Sequence, residues 1–419
     1  MSTPTTTRVF VTGMGAMTPL GIGVDRFWDG LVRGESGIGQ IQLFDASQFP
    51  CTIGGEVSGF EPRDYMDRKA ARRMARFSQL AVAATVEAVQ SSGIDLEAED
   101  RTRVGIILGN GNGGFPNLEE TVGVLNAKGG MRIDPFFIPR ILPNMAAANV
   151  AMQFGLLGFN NTVVTACAAG TQAIGEAAEV IRRGAADVMI CGGTESGFCA
   201  LGLGGFAVMR ALTTDRNDEP ERASRPFDAD RAGFVAAEGA GILVLESEQH
   251  ARARGAELQA EVAGFGCSGD AYHLGMPDQT GAGPVRAIRW AIADAGIEPD
   301  EIDYINAHGT STPINDASET KAIKTALGQA AAAVAVSSTK SMIGHGFGAA
   351  GAMEAVATVR TIQTGTVHPT INQEPPDPEC DLDYVPNEAR QAEVRVALSN
   401  SFGFGGQNAC LILRAASEE

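Results

Sequence analysis

Short apolar runs recur along the chain at Val9–Thr12, Val104–Leu108, Thr162–Ala166, Val188–Cys191, Gly241–Leu245, Ile302–Asn306, Val334–Ser337, Val394–Ser399 and Ala409–Leu413. Most are near-continuous in Val, Ile and Leu, which predicts strands covered on both faces rather than strands with one wet face. Between several of them lie stretches rich in Ala, Glu, Arg and Ile, at 78–92, 171–183, 284–295, 316–327 and 348–363, that read as helices. Strands alternating with helices predict a mostly parallel α/β protein. The polar segment HARARGAE (250–257) follows a strand and marks the expected seam between two halves, although no sequence repeat is visible across it. INQEPPDPEC (371–380) reads as an extended loop.

At 419 residues the chain has room for two or three ordinary domains or one large α/β unit. Apolar residues make up 44% but aromatics only 6%, so the core is expected to pack through small aliphatics. The 52 glycines imply many tight turns and close backbone contacts. No apolar stretch reaches the length of a membrane span, and MSTPTTT has no basic segment leading into an apolar one. Cysteines stand at 51, 167, 191, 199, 267, 380 and 410, an odd number without a C-x-x-C pair. That pattern suits reduced thiols in the cytoplasm and argues against a disulfide framework or a zinc site.

A net charge of −18 disfavours nucleic acid or an anionic membrane as partner. One segment reverses the sign. In MDRKAARRMARF (66–77), Arg68, Lys69, Arg72, Arg73 and Arg76 crowd what reads as one amphipathic helix, with Met74, Phe77, Ala81 and Ala84 as its apolar face. Against so acidic a background, this patch reads as a docking site for an acidic partner.

The sharpest chemical signal is NTVVTACAAGT (161–171). A β-branched run stops at Cys167 and gives way to a helix-compatible stretch reaching Gly184, which places the thiol at a helix N-terminus. The dipole there favours thiolate, whereas an unperturbed thiol is only about 3% ionised at pH 7. A buried structural cysteine is the alternative. Two of the five histidines lie in compact polar segments, NAHGTSTPIND (306–316) and STKSMIGHGFGAAGAME (338–354), and a third such segment is SNSFGFGGQN (399–408). Gly13-x-Gly15 and Gly109-x-Gly111-x-x-Gly114 follow strands and imitate a dinucleotide fingerprint. The first lacks its third glycine and the second runs into Phe115-Pro116, so a Rossmann oxidoreductase is only a remote alternative.

Cys, His-Gly-Thr, Lys-x-x-x-Gly-His and Gly-Phe-Gly-Gly, in that order, resemble the β-ketoacyl-[acyl-carrier-protein] synthases, most closely the elongating type II enzymes. The likeness runs from RVFVTGMGAMTPLG (8–21) to the last strand. It implies a thiolase-like α/β fold in five layers, α-β-α-β-α, built of two similar halves at 1–256 and 257–419. It implies decarboxylative condensation of an acyl group held on Cys167 with malonyl-[acyl-carrier protein], in fatty acid elongation. A polyketide or polyene ketosynthase of the same chemistry is the nearest alternative, and a non-catalytic chain-length-factor-like partner a further one. No cofactor or metal is implied, and the implied partners are acyl carrier protein and a second copy of the chain.

By the same resemblance His308 and His345 stabilise the enolate and Lys340 organises them. Glu354 bonds the Lys340 or His345 group. The N–H groups of Cys167 and Phe404 form an oxyanion hole, Gly403 and Gly405 allow close backbone approach, and Phe404 with Phe402 gates the acyl pocket. Thr310 and Thr312 hold the phosphopantetheine arm, Phe206 and Asn112 line the acyl pocket, and Arg210 joins Lys69, Arg72 and Arg73 in carrier docking. The helix that starts near Gly348, together with Lys340, is expected to keep His345 neutral. Asp316 with Glu319 also reads as a helix-capping box. Four positions depart from the family pattern: Asn112 replaces an aliphatic residue, Gly346-Phe347 an aliphatic or Thr/Met pair, and Ile343 a Thr. Asn112 either makes the pocket polar or sits in a turn at positive φ with its amide bonded to backbone.

Overall fold

The computed structural model describes residues 7–416; the MSTPTTT reading lies almost wholly outside them. In chain order the main strands are β1 (Val9–Thr18), β2 (Val104–Gly109), β3 (Asn160–Val163), β4 (Val188–Glu195) and β5 (Gly239–Ser247). They continue as β6 (Ala260–Gly269), β7 (Tyr304–Asn306), β8 (Ala335–Ser337), β9 (Val396–Gly403) and β10 (Gln407–Arg414). The first group pairs in the order β3-β2-β4-β5-β1 and the second in the order β8-β7-β9-β10-β6, so both halves use one pattern. Sequence periodicity alone hides this duplication. The two groups touch where Phe10 and Val11 of β1 pair with Glu261 and Ala260 of β6.

Every run read as a strand overlaps one, although Thr162–Ala166 runs past the end of β3 at Val163, and of the ten main strands only β6 escaped. Its sequence, AEVAGFGCSG, is too rich in Ala and Gly to show a β signal. The sheet is mixed rather than mostly parallel. β2 runs parallel to β3 and β4, and β7 parallel to β8 and β9, while β4–β5, β5–β1, β9–β10 and β10–β6 are antiparallel. The antiparallel pair β9–β10 closes through a short glycine turn, where Gly405 and Gly406 take φ 82 and 69.

Helices α1 (Arg76–Ser92) and α2 (Met145–Phe154) cover the outside of the first sheet region. Between the two regions lie α3 (Ala169–Arg182) and α7 (Ala350–Thr364). Helices α5 (Ala282–Ala295) and α6 (Pro313–Leu327) cover the far side, which gives the five layers α-β-α-β-α. α4 (Ala200–Val208) lies near the site. The central helices meet through small residues: a Cβ on Gly351 would lie 1.9 Å from Thr171 Oγ1. The fingerprint-like glycines serve packing too, since a Cβ on Gly15 would lie 1.9 Å from the Ala84 carbonyl oxygen on α1. Among the described residues no helix is long and apolar enough to cross a membrane.

Candidate active site

Past β3 the chain turns through Ala166, a non-glycine residue at φ 49, and enters α3 at Ala169. Left-handed backbone costs an alanine about 1–2 kcal/mol, so the surrounding packing must impose it. The turn aims Cys167 inward, with Sγ 3.0 Å from His345 Nε2. The N–H groups of Phe404 and Cys167 itself point at the same sulfur. The expectation of a dipole-favoured thiolate fails in the resting site. Burial pushes the thiol up to about 12, against the Lys340 charge and those N–H groups. Desolvation of a full charge outweighs the partial charge of a helix end. The thiol keeps its proton, and His345 is the neighbour placed to accept it.

β7 leads into His308 and β8 into the short helix Lys340–Ile343, so neighbouring strand ends deliver both groups to one place. The two imidazole rings stand edge to face, 5.4 Å between centroids. Lys340 Nζ lies 3.4 Å from His308 Nδ1 and is ion-paired with Glu354, both groups fully buried. Burial first, then the Lys340 charge, holds both histidines well below the usual imidazole range. His345 is therefore kept neutral chiefly by desolvation, with the expected Lys340 charge second. Neutral rings can each donate one N–H into the site.

Asp316 and Glu319 do not form a capping box. Thr312 is the residue that precedes α6, which puts Asp316 and Glu319 in its body with their carboxyls turned toward the histidine loop. Glu319 accepts the N–H groups of His308 and Gly309, both at 2.8 Å, and Asp316 accepts those of Thr310 and Phe227. Burial pushes Glu319 up to about 7. Thr310 and Thr312 hydroxyls lie 2.9 Å apart on the wall of a chamber of about 440 Å³. The chamber reaches Cys167, His308 and His345, with Phe402, Gly403, Phe404 and Gly405 along one side and Arg210 among its lining residues. Phe402 packs against the His308 ring at 5.6 Å.

The basic segment is two helices, not one. Asp67 caps Arg68–Ala71, the helix ends there, and α1 begins at Arg76. Lys69, Arg72 and Arg73 remain exposed, as does Arg210. Arg76 is not part of the patch: it turns inward and pairs with the buried Glu238 at 2.6 Å.

Asn112 follows β2, and the positive φ in that loop falls on Gly113 (φ 62) instead. Its side chain borders a small cavity with Phe206, Leu203 and Phe347, which excludes the turn reading. The residue that sequence reasoning missed is Glu195. This carboxyl at the end of β4 accepts the Gly111 and Gly348 N–H groups at 2.8 and 3.2 Å. It joins the loop of Asn112 to the loop of Phe347, and burial pushes it up to about 7. The available signal was an acid closing the apolar run VMICGGTE.

Residues 6–251 match the model of the beta-ketoacyl synthase N-terminal domain, and residues 259–374 that of its C-terminal domain. The chain is 51% identical to a 3-oxoacyl-[acyl-carrier-protein] synthase 2 of Synechocystis sp., covering 97% of this chain and 98% of that one. A protein of the same name from Staphylococcus aureus is 47% identical over the same shares. Among solved structures, the ishigamide ketosynthase/chain length factor superposes with a TM-score of 0.93 at 38% identity, covering 99% of this chain and 100% of that one. A type II polyketide ketosynthase solved with its acyl-carrier protein gives 0.90 at 35%, covering 98% and 100%.

Proposed function

The chain belongs to the beta-ketoacyl synthase family, and from that premise we infer how its site carries out condensation. It is an acyltransferase of the 3-oxoacyl-[acyl-carrier-protein] synthase type, acting in fatty acid elongation. The observation that carries the mechanism is the contact of Cys167 Sγ with His345 Nε2 at 3.0 Å, with His308 and Lys340 alongside.

In the first half-reaction Cys167 Sγ attacks the acyl thioester and expels the carrier thiol, which takes up the proton that Cys167 gives to His345. The N–H groups of Cys167 and Phe404 hold the tetrahedral oxyanion. In the second, malonyl thioester loses CO₂, and the C–C bonding pair becomes an enolate whose oxygen accepts N–H donors from His308 and His345. The enolate carbon then attacks the thioester on Cys167, forms the new C–C bond and releases the thiolate, which takes a proton from solvent to restore the resting thiol. Burial, with the Lys340 charge second, keeps the imidazoles neutral and so able to donate, and Glu354 is the buried counter-ion that holds Lys340 in place. Glu319 and Asp316 position the His308–Thr310 loop.

The substrates arrive on acyl carrier protein. Lys69, Arg72, Arg73 and Arg210 offer it a basic face on an otherwise acidic chain, and Thr310 with Thr312 suits the polar arm that carries the thioester. The chain divides functionally at 256/257, and the working form is a homodimer in the cytoplasm. The direct test is mass spectrometry of protein incubated with acyl-carrier protein. Wild type gains one acyl group on Cys167, and acyl loading of a Cys167→Ala protein would overturn the assignment.

A further inference from the structure

Phe347 stands between two spaces of very different size. On one side is the chamber of about 440 Å³ that opens onto Cys167, and on the other a cavity of about 10 Å³ bordered by Asn112, Leu203 and Phe206. The Phe347 and Phe206 rings are stacked, 4.6 Å between centroids and 8° from parallel. Phe234 sits edge-on to both at 5.6 Å and to His345 at 5.4 Å. A single water needs about 10–15 Å³, so nothing larger fits behind the stack as it stands. No methylene chain passes between rings in contact.

The backbone holds this arrangement deliberately. Phe347 takes φ 46, a conformation that costs a bulky side chain energy, and glycines flank it on both sides. Gly348 N–H is tied to Glu195, which also receives the Asn112 loop. Behind the rings the wall is mostly apolar, from Phe198, Leu203, Ala236 and Ala237, and Asn112 is its one polar side chain.

We infer that Phe347, stacked on Phe206, sets the length of the acyl group this enzyme accepts: short acyl groups that end against the ring face load Cys167, and long saturated chains are turned away. This rests on the condensing reading above and adds the substrate class. Phe347 is a specificity-determining residue, and Asn112 acts only behind it.

The test is the rate of Cys167 loading from butyryl- and dodecanoyl-carrier protein, read by intact mass. Wild type loads butyryl at least about 10-fold faster, and Phe347→Leu raises dodecanoyl loading about 10-fold while butyryl loading stays within about 2-fold. Asn112→Ile added to Phe347→Leu raises dodecanoyl loading again. Where Phe347→Leu fails to fold, Phe206→Leu removes the other half of the stack and gives the same shift. An unchanged dodecanoyl-to-butyryl ratio in a folded stack variant overturns the inference, as does a gain from Asn112→Ile alone. Loading from neither carrier by wild type would instead remove the condensing reading and this inference with it.

Discussion

The two halves share a strand order, yet the connection after the third strand of each is built for a different task. After β3 only a short turn intervenes before α3, and it carries a single reactive group, Cys167. After β8 the connection runs through Lys340–Ile343, His345 and Phe347 before α7 begins at Ala350. Because α3 and α7 lie side by side between the sheets, the two connections face each other, and Sγ meets Nε2. The second strands repeat the contrast: β2 leads to the neutral Asn112 loop, β7 to His308. A duplicated scaffold thus puts the thiol on one connection and the imidazole with its buried cation on the other, the division that the proposed mechanism uses. The short connection offers a nucleophile with little freedom to move, and the long one has room for a buried cation and its counter-ion.

That division breaks most visibly at Cys167. In Cys167→Ala, acyl transfer and condensation should fall to background, while malonyl decarboxylation persists because its donors belong to the other half. Loss of both activities together would show that the halves are not separable. Next in size are the donors. His308→Ala should lower decarboxylation about 100- to 1,000-fold with a smaller effect on loading, as measured by CO₂ release beside intact mass. His345→Ala should lower loading as well as decarboxylation, because His345 also takes the Cys167 proton. Glu354→Gln leaves Lys340 uncompensated in the interior and should cost about 3–5 kcal/mol of stability, measured by denaturant unfolding.

Acid sharpens the comparison further. Both histidines are held well below pH 6.5 by burial, so the neutral donors persist as pH falls. Decarboxylation should therefore stay flat between pH 7.5 and about 6, where an ordinary imidazole would already be half protonated. A rate that halves near pH 6.5 would contradict this. Smaller still is docking: charge reversal at Arg72 and Arg73 should raise the KM for carrier-bound substrate and its salt dependence, and leave small thioesters unaffected.

The smallest expected effect lies outside both connections and serves as their control. His250 sits between Glu246 at 2.6 Å and Glu99 at 2.9 Å, and these contacts, Glu246 first, raise it to about 9. A raised folded-state value means its contribution is full below about pH 6.5 and is lost as pH rises through about 9. Partial exposure limits that contribution to about 1 kcal/mol. His250→Asn should flatten the fall in thermal stability across that window and leave kinetics untouched.

The apolar runs made nearly every strand legible, because a strand covered on both faces must be hydrophobic throughout. β6 was silent because Gly264 and Gly266 are there to admit α5: a Cβ on either would lie 2.4 Å or less from an α5 carbonyl oxygen. Polar motifs with unusual residue types pointed to Cys167, His308, Lys340 and His345, and the structure brings these four side chains together. Arg76 and Asp316 misled for the opposite reason. A charge in a sequence reads the same whether it faces water or a buried counter-charge.

By itself, then, the sequence determined the chemistry available and the elements that would present it, through local hydrophobic pattern and side-chain reactivity. Tertiary structure alone decided that the halves repeat, that desolvation holds the thiol protonated and the imidazoles neutral, that Glu195 and Glu319 anchor loops, and that Phe347 meets Phe206. Each of these depends on what surrounds a group from distant parts of the chain. Burial and ring-to-ring contact are properties of the packed interior, and no local stretch of sequence contains them.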